Sequence, residues 1–175
     1  MTTGRSAAES PDSAPRPEPV GREPLRRTGV YVHPGRVFAS GEPAEATTIL
    51  GSCVAVCLWD RRLRIGGANH FLLPRWAGHG NDSARFGNVA VDRLLGELAA
   101  LGSQTVDLQA KVFGGAAVID VFRGREGHLG SDNVELARAR LKEEGIPIVA
   151  EDVGGHRGRN VIFQTDSGIA LVRLV

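Results

Sequence analysis

Two segments of the chain carry residue types suited to nucleophilic catalysis. The first reads Thr47-Thr-Ile-Leu-Gly-Ser-Cys53, and the second reads Gly66-Gly-Ala-Asn-His70. A cysteine attacks a carbonyl carbon as its thiolate, and a neighbouring imidazole can take the thiol proton. Gly51 lets the backbone before the cysteine approach a substrate closely. We therefore expect the two segments to form two walls of one cysteine–histidine site.

Other interpretations of the same residues stay open at this point. Free cysteine is among the most buried residue types, so Cys53 and, above all, Cys57 within its apolar run also fit core positions. His70 likewise fits a histidine buried on a strand. A zinc site built from Cys53, Cys57, His70 and His79 or His156 has suitable ligand types, but it lacks the two closely spaced ligand pairs of structural zinc motifs.

Several blocks along the chain resemble one known family, the bacterial chemoreceptor glutamine deamidases called CheD. They occur in family order from about Gly29 to the C-terminus: Leu50-Gly-Ser-Cys-Val-Ala-Val-Cys-Leu58, Gly67-Ala-Asn-His-Phe-Leu-Leu-Pro74, Arg85-Phe-Gly-Asn-Val-Ala90, Ala110-Lys-Val-Phe-Gly-Gly115, Gly145-Ile-Pro-Ile-Val-Ala-Glu-Asp-Val-Gly-Gly155 and Gly158-Arg-Asn-Val161. The resemblance implies a layered α/β/β domain with mixed sheets, the CheD-like cysteine hydrolase fold.

The resemblance also implies three catalytic residues. Cys53 corresponds to the nucleophile, His70 to the base, and Thr47, six positions before the cysteine, to the residue that orients the imidazole. Thr48 is adjacent, and a register error of one residue would exchange the two threonines. Neighbouring side chains point to opposite faces of a strand, so only one threonine can serve.

The activity implied by the resemblance is protein-glutamine deamidation without a cofactor or a metal. Glutamines of methyl-accepting chemotaxis receptors would become glutamates through a cysteine thioester, with release of ammonia. The phosphatase CheC is the family's partner. The alternatives are a non-catalytic module that binds receptors or CheC, and an enzyme that uses the same acyl-enzyme for transglutamination or peptide cleavage.

Composition limits the classes of partner. The net charge is +1, from 21 basic and 20 acidic residues, and no long basic run carries interleaved aromatics, so we expect no nucleic-acid partner. No apolar stretch approaches the roughly 18 residues of a membrane span, and no signal peptide is evident, so we expect no membrane insertion and a cytoplasmic location.

The pattern along the chain predicts an α+β domain behind a tail. Residues 1–27, rich in Pro, Ser, Glu and Arg, are predicted to be a disordered N-terminal tail, and residues 28–175 the deamidase domain. A helix is predicted from Asn88 to Gly102, and a second one capped by Ser131 or Asp132. About seven strands complete the domain, the last two forming a hairpin around residues 166–168. If residues 54–59 form a strand, its spacing excludes a disulfide between Cys53 and Cys57, whereas a helix would bring the two cysteines close enough to touch.

Overall fold

The structure, a computed structural model, describes residues 26–118 and 128–175. The predicted tail therefore lies almost wholly outside the described residues. Its last two residues, Arg26 and Arg27, are described, and the Arg27 guanidinium forms an ion pair of 2.6 Å with the Asp166 carboxylate. None of the helices in the described ranges is both long and apolar enough to cross a membrane.

The described residues form nine strands and two α-helices. In chain order they are β1 Thr28–Tyr31, β2 Arg36–Ser40, β3 Ala44–Leu50, β4 Val54–Asp60, β5 Ile65–His70, α1 Gly87–Ala100, β6 Leu108–Gly114, α2 Leu129–Glu143, β7 Ile148–Val153, β8 Arg159–Gln164 and β9 Ala170–Leu174, with a short 3-10 turn at Thr105–Asp107.

The strands make two mixed sheets. A four-stranded sheet has the order β1-β3-β8-β9, and a five-stranded sheet has the order β2-β5-β4-β6-β7. In the larger sheet, β4 is antiparallel to both β5 and β6, whereas β6 and β7 are parallel. Strands β8 and β9 pair antiparallel, which confirms the predicted C-terminal hairpin.

The layers follow from which faces carry apolar side chains. One face of the five-stranded sheet packs against α1 and α2 around a cluster that includes Val56, Leu94 and Leu141. The other face packs against the four-stranded sheet through a second cluster, which includes Leu50 and Phe163. The chain is therefore an α/β/β sandwich, and the prediction of a layered α+β fold with mixed sheets is confirmed.

Two local predictions need correction. The described residues form nine strands, where about seven were predicted, and β3 carries both candidate threonines. Helix α2 begins at Leu129, earlier than a cap at Ser131 or Asp132 allows. The cap is His128, whose Nδ1 accepts hydrogen bonds from the backbone N–H groups of Gly130 and Ser131. Histidine is an uncommon N-cap residue, so the usual N-cap preferences favoured Ser131 or Asp132 instead.

Candidate active site

The candidate site lies between the two sheets, where β3 of the smaller sheet faces β5 of the larger one. Thr48 and His70 are both buried, with exposed fractions of 3% and 2%. The Thr48 Oγ1 atom lies 2.8 Å from His70 Nδ1 and 2.9 Å from the carbonyl oxygen of Val32. The hydroxyl thus connects the imidazole to the backbone that follows β1.

These two contacts favour one tautomer of His70. A threonine hydroxyl has one proton, and the Val32 carbonyl can only accept, so Thr48 donates to Val32. The hydroxyl oxygen must then accept from His70 Nδ1–H. In a neutral imidazole the other nitrogen, Nε2, keeps its lone pair, and it is buried without a partner among the described residues. This is the protonation pattern of a general base ready to take a proton.

The strand register places Cys53 on the same face as His70. Val54 pairs with Phe71, so continuing the antiparallel register puts Cys53 opposite Leu72. His70 is two residues from Leu72 and is therefore a diagonal neighbour of Cys53, at the about 7–8 Å between Cα atoms typical of such pairs. Cys53 is half-buried and packs against the apolar cluster between the sheets.

The electrostatics describe an uncharged resting pair. Burial raises the pKa of the Cys53 thiol, partly offset by the residue's own backbone N–H. Burial also lowers the pKa of His70; a hydrogen bond to the Val32 backbone opposes this shift, and the nearby His33 imidazole adds to it. Near neutral pH the pair therefore rests as thiol and neutral imidazole, and proton transfer has to accompany nucleophilic attack.

The structure does not bring Thr47 to His70. Alternation along β3 places Thr48 with Ala46 and Leu50 toward the space between the sheets, and Thr47 on the outer face. Thr47 contributes only its carbonyl oxygen in this region, which accepts a hydrogen bond from the backbone N–H of Val32. Of the two threonines, the one whose side chain contacts the imidazole is therefore Thr48, not Thr47 as the resemblance implied.

The loop that carries the cysteine is held by its carbonyl groups. The carbonyls of Gly51 and Cys53 accept hydrogen bonds of 2.8 Å from the backbone N–H groups of Ala116 and Gly115, respectively. The Ser52 carbonyl accepts one of 3.1 Å from the side-chain amide of Asn133. Within the described ranges, the backbone N–H groups of Ser52 and Cys53 donate to no other backbone or side-chain group.

Two buried asparagines at the site were not identified from the sequence. Asn133, in the first turns of α2, is fully buried and reaches both walls of the site. Asn69 accepts a hydrogen bond of 2.9 Å from the backbone N–H of Val56, where the β4–β5 ladder is interrupted beside His70. Asn69 lies within the block from Gly67 to Pro74, but no role was assigned to it there. Asn133 lies within an otherwise apolar periodic pattern, where an asparagine also fits an exposed position.

Cys57 lies on the sheet face that also carries Cys53, but it is buried in the core. Burial raises the pKa of its thiol to about 12. Both cysteines are free thiols. Within residues 26–118 and 128–175, no three His, Cys, Asp or Glu side chains cluster closely enough to hold a metal ion. The site therefore contains one half-buried thiol and one uncharged imidazole on the same sheet face, residue types that can perform acyl transfer.

The layered fold and the chemistry open to this site can be compared with those of known proteins. A family model described as CheD chemotactic sensory transduction matches residues 72–174. A probable chemoreceptor glutamine deamidase CheD 1 of Anaeromyxobacter dehalogenans (strain 2CP-C) is 50% identical over 147 residues, which is 84% of this chain and 85% of the relative. A probable chemoreceptor glutamine deamidase CheD of Trichlorobacter lovleyi is 43% identical over 149 residues, 85% of this chain and 91% of the relative.

The chain belongs to the CheD family. Among solved structures, a Bacillus licheniformis hypothetical protein, YfiH, matches 66% of this chain and 49% of its own, with 18% identity and a TM-score of 0.43. The family model and the two relatives confirm, at the level of the family, the resemblance inferred from the sequence blocks.

Proposed function

We propose that this protein is a chemoreceptor glutamine deamidase, the activity for which its relatives are named. The observation that carries the proposal is the hydrogen bond between Thr48 Oγ1 and His70 Nδ1. It leaves Nε2 unprotonated and without a described partner, on the sheet face that also carries Cys53. A protein that only binds receptors has no need of a base held in this state beside a thiol.

In the proposed mechanism, His70 Nε2 takes the thiol proton as Cys53 Sγ attacks the carboxamide carbon of a glutamine. The carbon–nitrogen bond breaks, the imidazolium returns the proton to the departing nitrogen, and ammonia leaves a thioester. A water molecule then loses a proton to Nε2 and attacks the thioester carbon. Glutamate is released and the Cys53 thiol is restored. Thr48 keeps the imidazole oriented through both steps.

The tetrahedral intermediates carry negative charge on the former carboxamide oxygen, which needs hydrogen-bond donors. The backbone N–H groups of Ser52 and Cys53 are the proposed donors, because neither hydrogen-bonds to another residue within the described ranges. Removing one such donor typically lowers kcat by about 10²–10³-fold.

The proposed substrates are glutamines of methyl-accepting chemotaxis receptors, and CheC is the proposed regulatory partner. Free thiols at positions 53 and 57 suit a reducing compartment, which supports a cytoplasmic site of action.

The decisive test is mass spectrometry of receptor peptides incubated with the purified protein. Deamidation exchanges NH₂ for OH at a glutamine, leaves the peptide chain intact and releases free ammonia. A peptide joined to an added amine would indicate transglutamination instead, and shortened peptides would indicate cleavage. Unmodified peptides, together with tight receptor binding, would support the non-catalytic module.

A further inference from the structure

A single buried side chain connects the two walls of the site. The amide nitrogen Nδ2 of Asn133 donates to the carbonyl of Ser52 at 3.1 Å and to the carbonyl of Leu72 at 2.9 Å. Ser52 directly precedes Cys53, and Leu72 lies two residues after His70. Both N–H bonds of the amide are used, one on each wall. The contact thus fixes the spacing between the nucleophile loop and the end of the strand that carries the base.

The bond to Ser52 also fixes the direction of a backbone donor. A peptide group is planar and trans, so the N–H of Cys53 points opposite to the carbonyl of Ser52. With that carbonyl turned toward Asn133 in α2, the Cys53 N–H points away from the helix. The neighbouring carbonyls of Gly51 and Cys53 are held in the same way by Ala116 and Gly115.

Packing alone does not account for an asparagine at this position. The side chain is fully buried, and its Oδ1 atom has no partner among the described residues. A buried polar group left unpaired is unfavourable by about 1–3 kcal/mol. An apolar residue of similar size would fill the volume without that penalty, but it could not donate to Ser52 and Leu72.

We propose that Asn133 is a positioning residue for the Cys53 site. Its amide holds the Ser52–Cys53 peptide so that the Cys53 N–H is directed toward the reacting atoms, and it fixes the nucleophile loop against the strand end that follows His70. The effect of Asn133 on turnover rests on the proposed deamidase function. Its effect on the reactivity of the Cys53 thiol does not, because the Cys53 N–H also stabilises the residue's own thiolate.

The test combines two variants and two measurements in the full-length protein. Asn133→Ala removes the amide, and Asn133→Asp keeps its volume but replaces the donors by oxygen. The control is Leu141→Ala, which truncates a fully buried residue of the same helix whose side chain packs in the core cluster. The first measurement is the rate of Cys53 alkylation by iodoacetamide as a function of pH, read by peptide mass mapping. The second is the kcat and KM of receptor-peptide deamidation.

We expect both Asn133 variants to shift the alkylation profile of Cys53 to higher pH and to lower kcat by at least about tenfold, with KM changed far less. Asn133→Asp should be as impaired as Asn133→Ala or more so, since a carboxylate oxygen would replace the donor Nδ2 and repel the carbonyl oxygens of Ser52 and Leu72. Leu141→Ala should melt at a lower temperature but keep the wild-type alkylation profile and kcat.

An unshifted alkylation profile and wild-type kcat in Asn133→Ala would overturn the proposal. So would an Asn133→Asp variant milder than Asn133→Ala, which would indicate that only volume matters, or a Leu141→Ala variant with the same shifts. If Asn133→Asp does not fold by circular dichroism, the comparison of Asn133→Ala with Leu141→Ala decides. If the wild-type protein deamidates no receptor peptide but the alkylation shift is present, the proposed function fails and the positioning role stands.

Discussion

Replacing Thr48 by valine removes one hydroxyl oxygen from the site and keeps the side-chain shape. The carbonyl of Val32 loses its donor, and His70 Nδ1–H loses its acceptor. Each group is buried, and leaving a buried polar group unpaired costs about 1–3 kcal/mol. Because local relaxation recovers part of this, we expect Thr48→Val to lower the free energy of unfolding by about 2–4 kcal/mol.

The expected effect on turnover follows from the tautomer of His70. A net hydrogen bond of about 1–1.5 kcal/mol favours the Nδ1–H form, which corresponds to roughly tenfold in its population. Loss of that preference, together with looser orientation of the ring, should lower kcat by about 10–10²-fold. Thr47→Val is the matched control, because it deletes the same atoms on the outer face of β3. We expect it to change stability by no more than about 0.5 kcal/mol.

The assay is deamidation of a receptor peptide followed by mass spectrometry, with thermal melting by circular dichroism for both variants. Imidazole ¹⁵N chemical shifts provide an independent reading of the tautomer, since they distinguish a protonated ring nitrogen from an unprotonated one. A folded Thr48→Val with wild-type kcat, or a collapse of turnover in Thr47→Val, would refute the assignment of Thr48. An unchanged tautomer would refute the physical reason.

Three further predictions concern the two thiols, the dependence of kcat/KM on pH, and Gly114, which packs against Cys53. Cys53→Ala should abolish deamidation with the fold intact, by up to about 10⁶-fold, whereas Cys57→Ala should lower the melting temperature and leave turnover measurable. The plot of kcat/KM against pH should be broad. The lowered pKa of His70 moves its acid limb below pH 6.5, and the raised pKa of Cys53 moves its alkaline limb above pH 9.0. Acid or alkaline limbs between these two pH values would contradict a resting thiol and neutral imidazole. Gly114→Ala should reduce both stability and turnover, because its φ is +106° and the added methyl group would overlap the Cys53 carbonyl; a wild-type melting temperature and kcat would contradict this.

Sequence reasoning reached the family and the layered fold, because these depend on residue types within contiguous blocks, and it placed Cys53 and His70 on two segments that the structure brings to one sheet face. It did not separate Thr47 from Thr48. That choice depends on which face of β3 meets the larger sheet, and the pairing between strands distant in sequence decides it. A one-residue change in register exchanges every side chain between the two faces, so counting positions from Cys53 was not sufficient.

The role of Asn133 was beyond sequence reasoning for a different reason. Its two partners, Ser52 and Leu72, are 81 and 61 residues away and contribute only backbone carbonyls. Every residue type has a backbone carbonyl, so no pattern of residue types could indicate that Asn133 bonds to these two. The helix cap at His128 was missed because the prediction relied on residues that commonly cap helices.

The separation of the two thiols has a consequence for oxidative damage. Cys53 and Cys57 are the only cysteines in the chain, and four steps along an extended strand separate them by roughly 13 Å. A sulfenic acid formed at Cys53 therefore has no second thiol of its own chain within disulfide reach, and further oxidation to sulfinic acid is irreversible for most proteins. Recovery of the Cys53 thiol under oxidative stress thus depends on small-molecule thiols that reach this half-buried side chain from solution.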